Sequence, residues 1–207
     1  MKSTIDHQRP SFSDYYGRPK YQSLFRWIDH RKVHIIQREL ATLEPGATVV
    51  DLGCGAGSIL ARTTRDHDFA VATDHDPVLL ATAKLTGSKP VLLNLDADLP
   101  LASASVDVVL CTDVIEHIVE PNRALAEMYR VMRPGGTVIV FTPPYDSMRW
   151  NFAEWLHRLI TRRPADHISP FTRESLTWWI DRYFIDCRLG RVNWNLSMFA
   201  IARKKVD

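Results

Sequence analysis

VVDLGCGAG, at residues 49–57, is the stretch of this 207-residue chain that decides its fold. The uninterrupted, β-branched run at residues 48–52 predicts a strand buried on both faces. Gly53, Gly55 and Gly57 predict a tight turn that lets a ligand approach the backbone closely. A helix within residues 58–65 would direct its first N–H groups at that ligand. Strand, glycine turn and helix together predict the first unit of a nucleotide-binding α/β fold.

The spacing of the glycines excludes two phosphate-binding motifs. The dinucleotide fingerprint G-x-G-x-x-G needs a sixth-position glycine, where this chain has Ser58, and no Gly-Lys-Ser/Thr follows to make a P-loop. Asp51 lies two residues before the first glycine, so its carboxylate would repel a pyrophosphate and attract an ammonium group. The turn therefore predicts a ligand with a positively charged end.

The glycine turn resembles the first motif of the class I S-adenosylmethionine-dependent methyltransferases. Further segments resemble that family in order: DADLP from residue 96, VIEH from residue 114 and RPGG from residue 133. The resemblance runs from residue 49 to residue 142, close to half the chain, and is closest to type 11 and quinone-biosynthesis-like small-molecule enzymes. It implies S-adenosyl-L-methionine as the cofactor.

The predicted elements follow a strand–helix alternation. Strands are predicted at residues 48–52, 69–73, 91–95, 106–112 and 137–142, with helices at 29–43, from 77 and at 121–132. This alternation predicts an α/β fold with a doubly wound, mostly parallel sheet. Strands at 184–189 and 195–200 are joined without room for a helix, which predicts an antiparallel terminal pair and a seven-stranded, Rossmann-like sheet.

We expect one methyltransferase domain over residues 1–207. Its predicted parts are an N-terminal arm and helix at 1–45, a cofactor-binding core at 46–142, a substrate lid insertion at 143–170, and a C-terminal helix and strand pair at 171–207.

Ligands of open α/β sheets bind at the carboxyl ends of the strands. Asp51 and the glycine carbonyls are expected to meet the ammonium end of the cofactor, with Cys54 inside the same turn. Asp74, about 20 residues beyond the glycines, is placed to accept both ribose hydroxyls. His75 occupies the position at which the family covers the adenine with an apolar side chain.

The remaining cofactor contacts are implied by the resemblance alone. Asp96 is expected to accept from the adenine amino group, and Ala97 to supply backbone contacts. Asp98 is a substitute for Asp96, because the segment is one residue shorter than in the family, or else a solvated loop acid. The backbone near Thr112 is expected to flank the sulfonium.

Methyl transfer needs a positioned nucleophile and a group that removes its proton. His117, just past the fourth strand, is one candidate base; its alternative is a residue bonded to the backbone at a helix start. His167 is a second candidate and resembles the His before a helix in quinone-biosynthesis-type enzymes. Tyr145 is expected to line the substrate mouth. We expect no metal site.

The segment at residues 147–163 is expected to choose the substrate. Its apolar residues fall at helical spacing: Phe152, Trp155, Leu156, Leu159 and Ile160. The favoured interpretation is a helix packed on the domain. The alternatives are a lid over an apolar substrate, contacting it through Trp155, or a helix at a membrane surface. Tyr15 in the N-terminal arm is expected to help close the same pocket.

The composition of the chain limits which partners and which cellular compartment we expect. A net charge of +2 is too mild to predict a nucleic-acid partner, and three scattered cysteines indicate reduced thiols in the cytoplasm. We expect a monomeric or homodimeric methyltransferase acting on a small, apolar or aromatic acceptor, with oxygen favoured as the acceptor atom. The alternatives are an RNA or protein methyltransferase, and a non-catalytic S-adenosylmethionine-binding partner or sensor.

Overall fold

Seven strands form one sheet in the computed structural model, which describes residues 19–65, 68–84, 87–162 and 167–206. Side chains are described from Asp29 onward, Thr161 excepted. The strands are β1 Thr48–Leu52, β2 Phe69–Asp74, β3 Lys89–Leu92, β4 Val106–Thr112, β5 Met132–Thr142, β6 Ile185–Val192 and β7 Ser197–Arg203. The helices are α1 Pro19–Leu40, α2 Leu60–Thr63, α3 Pro77–Lys84, α4 Pro121–Val131, α5 Met148–Thr161 and α6 Arg173–Asp181. Short 3₁₀ turns occupy Ile115–His117 and Asn193–Asn195.

The sheet has the strand order β3-β2-β1-β4-β5-β7-β6. Strands β1 to β5 pair in parallel, and β7 pairs antiparallel with both β5 and β6. The predicted doubly wound sheet with an antiparallel terminal pair is therefore confirmed. The chain reverses its direction of winding between β1 and β4, where such folds open a ligand crevice.

Alternating residues of the central strands pack on opposite faces of the sheet, as the period of a strand requires. On one face, Val49 packs with Leu40 of α1 and Leu60 of α2. On the other face, Val50 packs with Leu125 of α4 and with residues of α6. The carboxyl ends of β1, β2 and β4 therefore meet at one edge, between two layers of helices.

Several predicted boundaries are wrong by a few residues. Helix α1 begins ten residues earlier than predicted, and α2 is a single turn. Strand β3 ends at Leu92 because its partner β2 ends at Asp74, the residue opposite Leu92. Strand β7 begins at Ser197 instead of residue 195, because positive φ angles at Asn193, Trp194 and Asn195 interrupt the extended backbone. Across the described residues, no helix is both long and apolar enough to cross a membrane.

Candidate cofactor and acceptor site

The glycine turn after β1 has a backbone that only glycine adopts readily. Gly53, Gly55 and Gly57 have φ angles of +69°, +54° and +77°. The turn is tied to the neighbouring strand, since the Cys54 N–H donates to the Thr73 carbonyl at 2.8 Å. A Cβ at Gly53 would lie 2.5 Å from Cγ2 of Val114, whereas a Cβ at Gly55 would meet nothing within 4 Å. The turn thus packs against the segment after β4 on one side and leaves space on the other.

Asp51, two residues before Gly53 at the end of β1, carries a fully buried carboxyl group. Neither of its carboxylate oxygens has a hydrogen-bond partner among the described residues. Burial, and then the negative charge of Asp74, raise the pKa of the Asp51 carboxyl to about 8. A buried carboxylate without partners is costly, so the site fits a ligand that brings a cationic donor to Asp51.

Asp74 connects the end of β2 to the glycine turn. Its Oδ2 accepts from the Gly55 N–H and its Oδ1 from the Asp76 N–H, both at 2.9 Å. The His75 side chain is 84% exposed, with Nδ1 3.3 Å from Asp74 Oδ1. Asp76 caps α3 by accepting from the Val78 N–H at 2.8 Å. The structure therefore separates a carboxylate beside the turn, at Asp74, from a helix cap, at Asp76.

The loop after β3 brings Asp96 against the segment that follows β4. Asp96 Oδ1 accepts from the Val119 N–H at 3.1 Å, and the Ala97 N–H donates to the Asn94 carbonyl at 3.1 Å. The exposed Asp98 instead pairs with Arg123 at 2.8 Å, on the outside of the loop. Of the two acids, Asp96 is the one whose side chain contacts the segment after β4.

The end of β4 carries an ion pair that sequence reasoning missed. Lys32 of α1 is 2% exposed and its Nζ contacts Oδ2 of Asp113, which follows the buried Thr112. Burial lowers the pKa of Lys32, but the carboxylates of Asp113 and Asp29 outweigh it and leave that pKa above its usual value. Nothing in the local pattern of α1 indicates this partner 81 residues away, so only the fold reveals how α1 is held at the site.

A group of rings lies beyond the end of β5. Tyr145 Oη and His167 Nδ1 are 2.6 Å apart, and the Trp150 ring stacks on His167 with centroids 5.9 Å apart. The His117 ring meets His167 edge-on at 4.8 Å. The structure thus brings together three residues that the sequence singled out separately, and adds Trp150. Trp150 was missed because it lies on the inner side of α5, off the apolar stripe that marks the helix.

Glu116 is buried beside this ring group. Its Oε2 accepts from the Thr142 hydroxyl at 2.9 Å, while Oε1 has no partner among the described residues. Burial, and then the charge of Asp113, raise the pKa of the Glu116 carboxyl to about 8. Val114, which immediately precedes this short turn, is the residue that a Cβ added at Gly53 would meet. The ring group and the glycine turn therefore adjoin through the segment at residues 114–117.

The apolar stripe of α5 faces away from the ring group. Phe152, Trp155, Leu159 and Ile160 are 56–72% exposed, and Leu156 is 39% exposed. The interpretation of a helix packed on the domain through this stripe is therefore wrong. Trp155 contacts Phe152, with ring centroids 5.7 Å apart, and does not join Tyr145 and His167. Tyr15, the other predicted pocket residue, lies outside the described residues.

The central part of the chain matches a known domain family. Residues 50–140 match the family model described as a methyltransferase domain. An uncharacterized methyltransferase of Mycobacterium sp. is 37% identical over 106 residues, which are 50% of this chain and 42% of that protein. The chain spans less than half the length of this relative and of other curated relatives that it matches.

Solved structures share the fold over nearly the whole chain. A SAM-dependent methyltransferase of Archaeoglobus fulgidus aligns with a TM-score of 0.71 at 15% identity, covering 92% of this chain and all of the other. The chain that forms a complex with the Trm112 methyltransferase activator of Haloferax volcanii aligns with a TM-score of 0.74 at 18% identity, covering 95% of this chain and 99% of that one. At these identities the likeness shows a common fold.

Proposed function

We propose that this chain is an S-adenosylmethionine-dependent methyltransferase of a small, apolar or aromatic acceptor, since residues 50–140 match the family model described as a methyltransferase domain. The observation that carries the proposal is Asp51, a buried carboxylate without a partner beside an open glycine turn. An ammonium group would supply the missing donors, whereas a phosphate would add a second negative charge.

Each part of the cofactor would be bound by different residues around the turn. Asp51 would hold the ammonium, with the backbone of Gly53–Gly57 and Cys54 close beside it. Asp74 keeps lone pairs for ribose hydroxyls, since each of its oxygens accepts only one backbone N–H. His75 would cover the adenine ring, and the loop of Asp96 and Ala97 would meet the adenine edge. Thr112 would flank the sulfur. S-adenosylmethionine supplies a methyl group already activated by its sulfonium.

The acceptor would enter beside the ring group. Tyr145 and Trp150 offer flat surfaces for an apolar or aromatic molecule. His117 or His167 would take a proton from an acceptor hydroxyl, a role supported by the contact of both imidazoles within the ring group. Oxygen remains the favoured acceptor atom, because a hydroxyl needs such a proton acceptor when it becomes the nucleophile. The work left to the protein is to orient the hydroxyl and remove its proton.

A transfer assay tests the proposed function. The protein is incubated with methyl-labelled S-adenosylmethionine and a metabolite extract, and the labelled products are identified by mass spectrometry. We expect label in a small apolar or aromatic molecule, with Asp51→Asn as the control that removes the ammonium partner. Label in RNA or protein would contradict the acceptor class. Cofactor binding without any labelled product would contradict turnover and favour a sensor.

We also propose that the exposed face of α5 contacts a membrane surface. This face carries Phe152, Trp155, Leu159 and Ile160, while Arg149 and Arg158 are exposed on the same helix. An exposed stripe of aromatic and aliphatic residues flanked by arginines is typical of helices that lie in the interface of anionic bilayers. A membrane contact here would also bring apolar acceptors to the ring group at the inner side of α5.

Vesicle sedimentation tests this contact. We expect the wild type to sediment with phosphatidylglycerol vesicles. The double variant Phe152→Ser/Trp155→Ser should have a partition coefficient lower by at least about tenfold, because burying each ring contributes about 1.5–3 kcal/mol to binding. Trp178→Ser is the matched control, because Trp178 is 55% exposed on α6. Equal sedimentation of the double variant and the wild type would refute the contact.

A further inference from the structure

Three side chains that bind metals elsewhere in proteins converge beside the ring group. Glu116, His117 and His167 each offer one ligand atom, and these atoms lie within 4.8 Å of one another. Ligand atoms around a tetrahedral ion with bonds of about 2.1 Å are separated by roughly 3.4 Å. Side-chain adjustments on the order of an ångström would therefore bring the three atoms to a common ion.

The carboxylate of this cluster has an unsatisfied oxygen. Glu116 is 1% exposed, and its Oε1 lacks a partner among the described residues, whereas Oε2 accepts from the Thr142 hydroxyl. Buried polar atoms are nearly always paired, so an orphaned carboxylate oxygen indicates a missing cationic or donor ligand. The Lys32 ammonium is not that ligand, because its hydrogen bond goes to Asp113.

His167 already has the outer partner that metal-bound histidines commonly have. Its Nδ1 lies 2.6 Å from Tyr145 Oη, so Nε2 would be the ligand atom. Such a hydrogen bond at the far ring nitrogen fixes the tautomer and the ring orientation of a ligating imidazole. The Trp150 ring, stacked on His167, further restricts the orientation of the imidazole ring.

The backbone holds the two halves of the cluster together across 50 residues of sequence. The Ile168 and Ser169 N–H groups both donate to the Glu116 carbonyl at 2.9 Å. The Ser169 hydroxyl donates to the Ile118 carbonyl at 2.9 Å. His167 is thus fixed against the turn that carries Glu116 and His117, which is the preorganisation that a built site requires.

We propose that Glu116, His117 and His167 bind a divalent transition-metal ion of the Zn²⁺ type at the acceptor end of the site. Two imidazoles and one carboxylate suit Zn²⁺ or a similar ion, whereas Ca²⁺ and Mg²⁺ prefer sets made of oxygen. Three protein ligands leave a coordination position open, as in catalytic zinc sites. That position would take the acceptor's oxygen, and the charge of the ion would then favour loss of the acceptor's proton. With the ion bound, His117 and His167 would orient the acceptor as ligands of the ion and would not themselves take its proton. The role in catalysis rests on the proposed function, but the binding does not.

The expectation that the chain has no metal site rested on its sequence, which has no compact ligand motif. The cysteines are scattered, and the third ligand of the cluster lies 50 residues beyond the first two. Hydrogen bonds between the segments at residues 116–118 and 167–169 bring the set together.

Metal titration of the chelator-treated full chain tests the site. We expect wild type to bind one equivalent of Zn²⁺ by calorimetry, and Glu116→Gln and His167→Ala to bind it at least about 100-fold more weakly. Tyr145→Phe, which removes only the outer hydrogen bond, should bind about tenfold more weakly. His157→Ala is the matched control, because His157 is exposed on α5. Wild-type affinity in both ligand variants, or no saturable binding by wild type, would overturn the proposal.

Two further readouts separate this proposal from its alternatives. The Co²⁺-loaded protein should show visible bands without the near-ultraviolet thiolate charge transfer that binding at Cys54, Cys111 or Cys187 would produce; a thiolate band would place the ion elsewhere and refute the cluster. S-adenosylhomocysteine binding is measured on the same samples. Zn²⁺ binding without S-adenosylhomocysteine binding would contradict the proposed function alone, and the reverse would contradict the metal site alone.

Discussion

Asp51→Asn is expected to stabilise the free protein above neutral pH and to weaken cofactor binding at the same time. The Asp51 carboxyl of the unfolded chain ionises near its ordinary pKa of 3.8, whereas burial raises its pKa to about 8 in the folded state. Between these values the unfolded state releases a proton that the folded state keeps. As pH rises from 4 toward 8, the equilibrium constant of unfolding therefore increases by up to about tenfold per pH unit, and the stability present below pH 4 is lost.

Denaturant unfolding at several pH values measures this effect. Asp51→Asn should match the wild type near pH 4 and be more stable by several kcal/mol, on the order of 2–5, at pH 8. The pH dependence should be reduced and not abolished, because burial raises the pKa of Glu116 in the same direction. Parallel curves for the variant and the wild type over pH 4–8 would contradict the buried, partnerless state of Asp51.

Asp51→Asn should weaken ligand binding although it stabilises the free protein. Losing one partner of a buried charge pair costs about 2–5 kcal/mol, so S-adenosylhomocysteine should bind at least about 30-fold more weakly. 5′-Methylthioadenosine has no ammonium group, and its affinity should be unchanged. An equal loss for both ligands would mean that Asp51 acts on the turn as a whole and not on the ammonium.

Gly53→Ala is expected to have the second large effect, through two separate costs. A residue with a Cβ at φ +69° costs about 1–2 kcal/mol relative to glycine. The new Cβ would also lie 2.5 Å from Val114 Cγ2, and such overpacking costs about 1–3 kcal/mol. Because Val114 leads into the turn of Glu116 and His117, the displacement should reach both the cofactor turn and the acceptor end. We expect a lower free energy of unfolding and little binding of S-adenosylhomocysteine.

Two variants separate these costs in unfolding and binding experiments. Gly46→Ala is the matched control, since Gly46 has φ +90° and its added Cβ would meet nothing within 4 Å. It should show the backbone cost alone. Val114→Ala combined with Gly53→Ala should recover the packing cost and part of the binding. If Gly53→Ala were no worse than Gly46→Ala, the close approach of Val114 would be disproved.

The sequence predicted the parts of the fold that local patterns specify. The glycine turn, the strands β1 and β4 and the antiparallel terminal pair follow from residue type and spacing alone. The boundaries of β3 and β7 could not be predicted in the same way. The first depends on where its neighbour β2 ends, and the second on positive φ angles at Asn193–Asn195.

The candidate site was predictable only where its residues follow a strand end. Asp51 and Asp74 were found because each follows an apolar run beside the turn. The Lys32–Asp113 pair and the contact of Glu116 with Thr142 join residues 81 and 26 positions apart, so no local pattern reveals them. The stripe on α5 was misread because spacing identifies an apolar face but not what covers it; Trp150, on the inner face, is the tryptophan that reaches His167.

Calorimetric titration of the wild type with S-adenosylhomocysteine tests the central claim most directly, because it asks whether the glycine turn with Asp51 and Asp74 is an S-adenosylmethionine site. We predict saturable binding at one molecule per chain, and the loss of that binding in Asp74→Ala, which removes the carboxylate assigned to the ribose. The absence of binding by the wild type, or an unchanged affinity in Asp74→Ala, would contradict this account.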